Sequence, residues 1–370
     1  MNQTDKTTPR TGSKTRAMST TNGKMSDQIL ERVNTVSDAL RNISGVKDVD
    51  IATAPRHTVW EDGKVKLYHF EREDKALAKT PVLISYALVN RWEMMDLQPD
   101  RSLIRKLISE GIDVYLIDWG YPTKIDRYKT LENYILGNLN DCVDFILEKH
   151  NINKVNLLGV CQGGTFSLIY SSLFPEKIKN LVTLVTPVDF DNDEGLLFKW
   201  AKDMDVDAIV DGFGGIVPGD FLNTGFDLLK PMNKTRKYMA LPETMADQGR
   251  LMNFLRMEHW VADSPAQAGE TYRRFIKDMY QHNKLINGKF ELGGRKVELK
   301  NIKTPILTIY AKDDHIVPPV STIPVHDAIG SKDKELLEFP GGHIGVFVGS
   351  RSQKLLTPAI AKWLIDRDGQ

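Results

Sequence analysis

Between Thr80 and Pro187 the chain alternates short, almost unbroken apolar runs with segments of helical period, and that alternation leaves few folds open to it. PVLISYALV (81–89), DVYLIDWG (113–120), KVNLLGV (154–160) and NLVTLVTP (180–187) lack the in-out pattern of a strand wetted on one face. Such runs predict strands covered on both faces. Between them lie Leu103–Glu110, stopped by Gly111, then Leu131–His150 and Gly163–Leu173, each with helical spacing. Strands alternating with helices predict an α/β class and a mostly parallel central sheet flanked by helices.

Upstream, HTVWEDGKVKLYHF (57–70) sets Asp62-Gly63 between two β-prone runs, which is a hairpin signal. The alternation lapses after Pro187. Residues 187–303 are rich in Met, Phe and Trp and mostly helical in period, with a small hairpin pattern in NGKFELGGRKVEL (287–299). TPILTIYAKDD (304–314) and KELLEFPGGH (334–343) restore the strand pattern, and Ser352–Asp366 reads as a closing helix. One sheet with a helical insertion accounts for this order, whereas two tandem domains would leave the last strands no sheet to join. The expected organisation is a core of 57–186 and 304–370, with an inserted, mostly helical cap at 187–303. Residues 26–56 precede the core as a helical segment, with Ile29, Leu30, Val33, Val36, Leu40 and Ile43 on one face. Residues 1–25, Thr/Ser/Lys/Arg-rich and poor in apolar residues, read as a disordered tail.

Charge and cysteine content exclude several classes. Lys plus Arg and Asp plus Glu both number 49, so no net field draws the chain to nucleic acid or an anionic membrane. The tail has no apolar core of a secretory signal, and no run of about 18 uncharged apolar residues predicts a transmembrane helix. Two cysteines are too few for a disulfide framework, which fits a reducing cytoplasm. His57, His69, His150, His259, His282 and His326 show no metal-ligand spacing, so no metal is expected.

The chemistry concentrates at Leu158–Gly164, LGVCQGG, where a strand ends and a helix begins. Gly159-Val160-Cys161-Gln162-Gly163 is the nucleophile-elbow pattern G-x-S-x-G with Cys at the Ser position. The following helix aims its N-terminus at the nucleophile, where its N–H groups, beginning with Gln162, stabilise negative charge. The bland alternative is a small buried Cys in a tight turn. Context favours the elbow. An α/β-hydrolase carries nucleophile, acid and His in that chain order. Here the penultimate strand runs into Asp313-Asp314-His315 and the last into Gly341-Gly342-His343. Both lie at C-terminal strand ends, where open α/β sheets place their sites. Asp313 and Asp314 compete for the acid, and His315 serves equally well as a structural partner. Cys142, among Leu139, Val143 and Ile146, reads as core packing. Asp118, at a strand end, reads as a turn former.

LGVCQGGTFSLIY, LVTPVDF, AGETYRRFIKDMYQHN, LINGKFELGGRKVELKNI, DDHIVPP and FPGGHIGVFVGS together resemble the polyhydroxyalkanoate synthases, from about Val59 to the C-terminus. Gln162 after the nucleophile and the FPGGHIG segment are similar to the short catalytic subunit of the class III type. The resemblance implies an α/β-hydrolase fold with Cys161 as nucleophile, Asp314 as acid and His343 as general base. It implies an (R)-3-hydroxyacyl-CoA substrate, typically 3-hydroxybutyryl-CoA, polymerised with release of CoA. The thioester is the substrate, and no cofactor is expected. It implies as partners a growing polyester chain, its granule surface in the cytoplasm and a non-catalytic companion subunit. A homodimer or higher oligomer is also expected. The oxyanion is expected between the N–H of Gln162 and one from the loop after PVLISYALV, at Val89.

A Cys nucleophile suits this chemistry, because exchanging one thioester for another keeps the acyl group activated. The cap would exclude water that would end polymerisation. Its Met-rich stretches equally suit a product path, a subunit contact or a plain core. Two rivals remain at this level. One is a Cys-nucleophile thioesterase, esterase or polyester depolymerase, since fold and triad do not fix the acyl acceptor. The other is a non-catalytic granule-surface scaffold, which has no need of an intact Cys, Asp and His.

Overall fold

The apolar runs pair into one sheet of eight strands in the computed structural model, which describes residues 49–72, 74–229 and 239–369. The tail and the helix expected within 26–43 lie outside the described residues. The strands are β1 (Arg56–Asp62), β2 (Val65–Phe70), β3 (Val82–Ser85), β4 (Val114–Asp118), β5 (Val155–Val160), β6 (Ile178–Leu184), β7 (Ile306–Ala311) and β8 (Lys334–Phe339). Their order across the sheet is β1-β2-β4-β3-β5-β6-β7-β8. β2 runs antiparallel to both β1 and β4. Every other neighbouring pair is parallel.

The continuous apolar runs are explained by cover on both faces. Leu83, Tyr115, Leu157 and Leu181 face one side, against Val143 and Ile146 of α2 (Asn140–His150) and Phe166 and Ile169 of α3 (Gln162–Leu173). Val82, Leu116, Leu158 and Val182 face the other, against Ile104 and Leu107 of α1 (Leu103–Ser109) and Ile360 and Leu364 of the helix Thr357–Asp366. Each such side chain contributes about 1.5–3 kcal/mol on burial, so a single Leu83→Ala would cost about 2–5 kcal/mol. Two buried amides inside the sheet bond in series: Asn180 Nδ2 donates to Asn156 Oδ1 (2.8 Å), and Asn156 Nδ2 donates to the Thr80 carbonyl (3.0 Å).

Two sequence expectations shift in the structure. The hairpin forms, but its two turn residues are Gly63 and Lys64, with Asp62 paired to Val65 and Gly63 at φ 58°. The run 81–89 is strand only over Val82–Ser85. Beyond Ser85 the backbone turns to other partners: the Tyr86 carbonyl accepts from Trp119 Nε1 (2.8 Å), and the Leu88 N–H donates to Gln162 Oε1 (3.0 Å). Apolar residues in a buried loop look like strand in sequence.

Between β6 and β7 the chain is mostly helical: Leu196–Lys202, Val206–Gly212, Gly219–Leu229, Leu241–Ala246, Gln248–Ala262 and Gly269–Phe275, the last continued by a π-helical turn, Ile276–Gln281. A minimal hairpin pairs Glu291–Leu292 with Arg295–Lys296 through Gly293 and Gly294, both at positive φ. The described residues divide into two compact units, most of 50–229 with 256–369 in one, and Val49 with 239–255 in the other. Of the second unit the structure describes mainly helix, in Leu241–Ala246 and the start of Gln248–Ala262. Among the described residues no helix is long and apolar enough to cross a membrane.

Candidate active site

Cys161 stands alone between the end of β5 and the start of α3, at φ 52° and ψ −123°. A non-glycine residue in this region is strained by about 1–3 kcal/mol and persists only where its surroundings hold it. Here the Cys161 N–H donates to the Leu184 carbonyl (2.9 Å), and its own carbonyl accepts from Gly164 N–H (2.9 Å). The turn needs space that only glycine leaves. A Cβ on Gly163 would lie 2.2 Å from the Ser85 carbonyl oxygen, and one on Gly164 would lie 1.8 Å from Thr186 Oγ1. The first turn of α3 is thus wedged between the ends of β3 and β6, and Cys161 is left partly exposed.

His343 and Asp314 meet beside it. His343 Nδ1 donates to Asp314 Oδ2 at 2.7 Å, and both side chains are buried. Asp314 Oδ1 accepts from the N–H groups of Ile316 and Val317, each at 2.9 Å. The loops carrying the two residues are tied together by Asp313 N–H, which donates to the Gly341 carbonyl (2.9 Å). Burial alone would lower the His343 pKa. The charges of Asp314 and Cys161, and hydrogen bonds to both, outweigh it and raise the imidazole to about 10. Nδ1 is occupied by Asp314, so Nε2 is the atom left for the thiol.

The structure separates the competing acids. Asp313 points into solvent while Asp314 is buried against His343. His315 is partly buried. Cys142 lies wholly inside the core on α2, where burial pushes its thiol pKa up, away from a reactive thiolate. Gln162 opens α3, so its N–H has no partner one turn back in the helix. Its side chain holds the loop after β3 through Leu88, and Val89 follows in that loop, partly buried. Asp118 does accept from the Gly120 N–H (2.9 Å) as a turn former would, but it also receives Arg91. No group of three or more potential metal ligands occurs among the described residues.

Two flanking residues carried no sequence signal. Tyr86 and Tyr280 are buried, and their phenol pKa values are raised first by burial and then by the charge of Cys161. Both therefore lie within electrostatic reach of the thiol. Within apolar or helical runs a tyrosine reads simply as core.

Comparison with known proteins agrees with this fold. Residues 80–350 match the family model for the alpha/beta hydrolase fold. Among solved structures, a lipase candidate from Sulfolobus solfataricus superposes with a TM-score of 0.51 at 14% identity, over 85% of this chain and 99% of that one. Est1E from Butyrivibrio proteoclasticus gives 0.50 at 13% identity, over 86% and 100%. At such identity these share the fold alone. The poly(3-hydroxyalkanoate) polymerase subunit PhaC of Allochromatium vinosum is 47% identical over 347 residues, 93% of this chain and 98% of that protein. Its counterpart from Synechocystis is 49% identical over 338 residues, 89% of each. Identity of this depth over nine-tenths of the chain places it in the family of poly(3-hydroxyalkanoate) polymerase PhaC subunits, acyltransferases built on the α/β-hydrolase fold.

Proposed function

We propose that this polymerase works through an acyl-enzyme on Cys161, with His343 as base and Asp314 as its orienting acid. The observation that carries the reading is the buried Asp314–His343 hydrogen bond beside a thiol on a strained elbow. His343 Nε2 holds the proton of Cys161 Sγ as an imidazolium beside the thiolate, and the thiolate attacks the carbonyl carbon of an (R)-3-hydroxyacyl-CoA. The tetrahedral oxyanion sits between the N–H groups of Gln162 and Val89. Collapse expels CoA, whose thiolate recovers the proton from His343, and leaves a thioester on Cys161. The 3-hydroxyl of another hydroxyacyl-CoA then attacks that thioester and gives its proton to His343. An ester bond forms, the Cys161 S–C bond breaks, and Cys161 leaves as thiolate. The lengthened chain remains a CoA thioester that can reload Cys161. Asp314 is buried with three N–H groups on its oxygens, one of them from His343, and His343 serves as the base for this step as well.

The insertion, residues 187–303, acts as a cap that keeps water from the acyl-enzyme. 3-Hydroxybutyryl-CoA is the expected monomer, and the expected location is the surface of cytoplasmic polyester granules. The relatives are named as subunits, which favours a companion subunit for this chain too. The test is incubation of the purified chain with (R)-3-hydroxybutyryl-CoA, with and without a candidate companion, following CoA release and product. Insoluble polymer, formed faster and with a shorter lag when the companion is present, supports the reading. Free 3-hydroxybutyrate as the sole product would identify a thioesterase instead.

A further inference from the structure

The loop after β3 is held at almost every residue, and its largest anchor is a buried arginine. Arg91 lies at the end of that loop with its side chain only 10% exposed. Its guanidinium forks onto Asp118, with Nη1 donating to Oδ1 at 2.8 Å and Nη2 to Oδ2 at 3.2 Å. Nη2 also donates to Glu93 Oε1 at 2.8 Å, and the guanidinium stacks 4.4 Å above the Tyr121 ring. Asp118 is the last residue of β4, the sheet neighbour of β3. The fork therefore ties the loop to the C-terminal end of an interior strand of the sheet.

Other tethers flank Val89 on both sides. On one side the Tyr86 carbonyl is held by Trp119 and the Leu88 N–H by the Gln162 side chain. On the other, Ser264 Oγ donates to Asn90 Oδ1 (2.5 Å), and Trp260 Nε1 donates to the Arg91 carbonyl (2.7 Å). Asn90 adopts φ 59°, a left-handed conformation that asparagine takes more readily than other non-glycine residues, and it turns the loop there. Val89 sits between these anchors.

A buried ion pair is a poor device for stability alone. Its desolvation cost commonly offsets its attraction, and apolar residues of similar volume often serve as well. What a guanidinium–carboxylate fork supplies is orientation, because two parallel N–H donors fix the angle of approach. We propose that Arg91 is a positioning residue, whose fork on Asp118 sets the Val89 N–H where the oxyanion forms. The inference rests on the Cys161 and Val89 reading above. Arg91 itself need not touch the reacting atoms.

The experiment measures CoA release by Arg91→Lys and Asp118→Asn, each normalised to the amount of Cys161 thiol that a small alkylating reagent titrates. Lysine keeps the charge and loses the fork, and asparagine keeps the shape and loses the charge. Expected is a fall in kcat of about 10- to 100-fold, below the cost of deleting a whole oxyanion donor, with KM within about 3-fold. The rate of Cys161 alkylation should stay within about 2-fold, since thiol, His343 and Asp314 are untouched. Arg105→Lys serves as the control, because Arg105 pairs with Asp96 and Thr53 rather than with this loop. It should keep wild-type kcat. The proposal falls if both test variants keep wild-type kcat, or if kcat and alkylation rate decline together, as in general loosening. If Cys161→Ala itself still releases CoA, the acyl-enzyme reading fails first, and that result is read independently of Arg91.

Discussion

His343 Nδ1 lies 2.7 Å from Asp314 Oδ2, and the other oxygen of that carboxylate is gripped by the N–H groups of Ile316 and Val317. The acid is fixed by its own loop before it fixes the histidine. Its orientation therefore does not depend on the thiol or on a substrate.

Asp314→Asn should lower the rate of CoA release by about 10³–10⁴-fold, the scale seen when an amide replaces the acid of such a triad. The new amide can turn its N–H₂ toward Nδ1 and favour the wrong tautomer. Asp313→Asn, one residue away but exposed, should stay within about 3-fold of wild type, a factor assigned from the small effects of surface substitutions. Steady-state CoA release decides it. Similar mild losses in both would remove Asp314 from the site.

The same pair predicts how stability changes with pH. His343 has a folded-state pKa near 10, above its ordinary 6.5, because Asp314 and the Cys161 charge outweigh burial. Its contribution is therefore complete below pH 6.5 and is lost as pH rises through about 10. Thermal unfolding of wild type and His343→Gln should be compared from pH 6 to 10. The wild type should lose the larger part of its advantage across that window. Parallel curves would show that the imidazole gains no proton on folding.

Gly163→Ala should abolish activity and lower the melting temperature. The obstruction is spatial, since the new Cβ would meet two backbone carbonyls, those of Ser85 and Tyr86, at 2.2 and 2.4 Å. Neither carbonyl can rotate aside as a flexible side chain would. Gly225→Ala, with open space around its Cβ in the helix Gly219–Leu229, should instead be neutral or stabilise by about 0.5–1 kcal/mol. Circular dichroism melts of the two variants give the comparison, and equal behaviour would refute the wedge at the elbow.

Much of this was legible because it rests on local pattern. Strands buried on both faces must be apolar throughout, so β3 to β7 stand out in sequence. An elbow needs glycines at fixed offsets from its nucleophile, so Cys161 stands out as well. Asp313 and Asp314 could not be separated from the residues alone. Their difference lies in how the chain turns after β7, where Asp313 N–H bonds to Gly341 and Asp314 N–H to Ala311. Arg91 was invisible for a related reason. Its partner Asp118 is distant in sequence, and each residue alone reads as an ordinary loop charge.

The choice of sulfur at position 161 gives the last prediction. A thiol nucleophile exchanges one thioester for another, nearly without change in free energy, and the acyl unit stays reactive toward a hydroxyl. Cys161→Ser would place an ordinary ester on the enzyme, a poorer acyl donor for chain growth. It would also remove the Cys161 charge that helps raise the His343 pKa, so the imidazole should titrate lower than in wild type. Two results are expected together from Cys161→Ser incubated with (R)-3-hydroxybutyryl-CoA. Mass spectrometry should find at most a single acyl unit on the protein and no insoluble polymer. NMR of the histidine ring should place His343 nearer to 6.5 than in wild type. Cys142→Ala, which removes a wholly buried side chain remote from the elbow, should still form polymer at a stability cost on the order of 1 kcal/mol. Polymer from Cys161→Ser at wild-type rates would mean that the growing chain is not carried on residue 161.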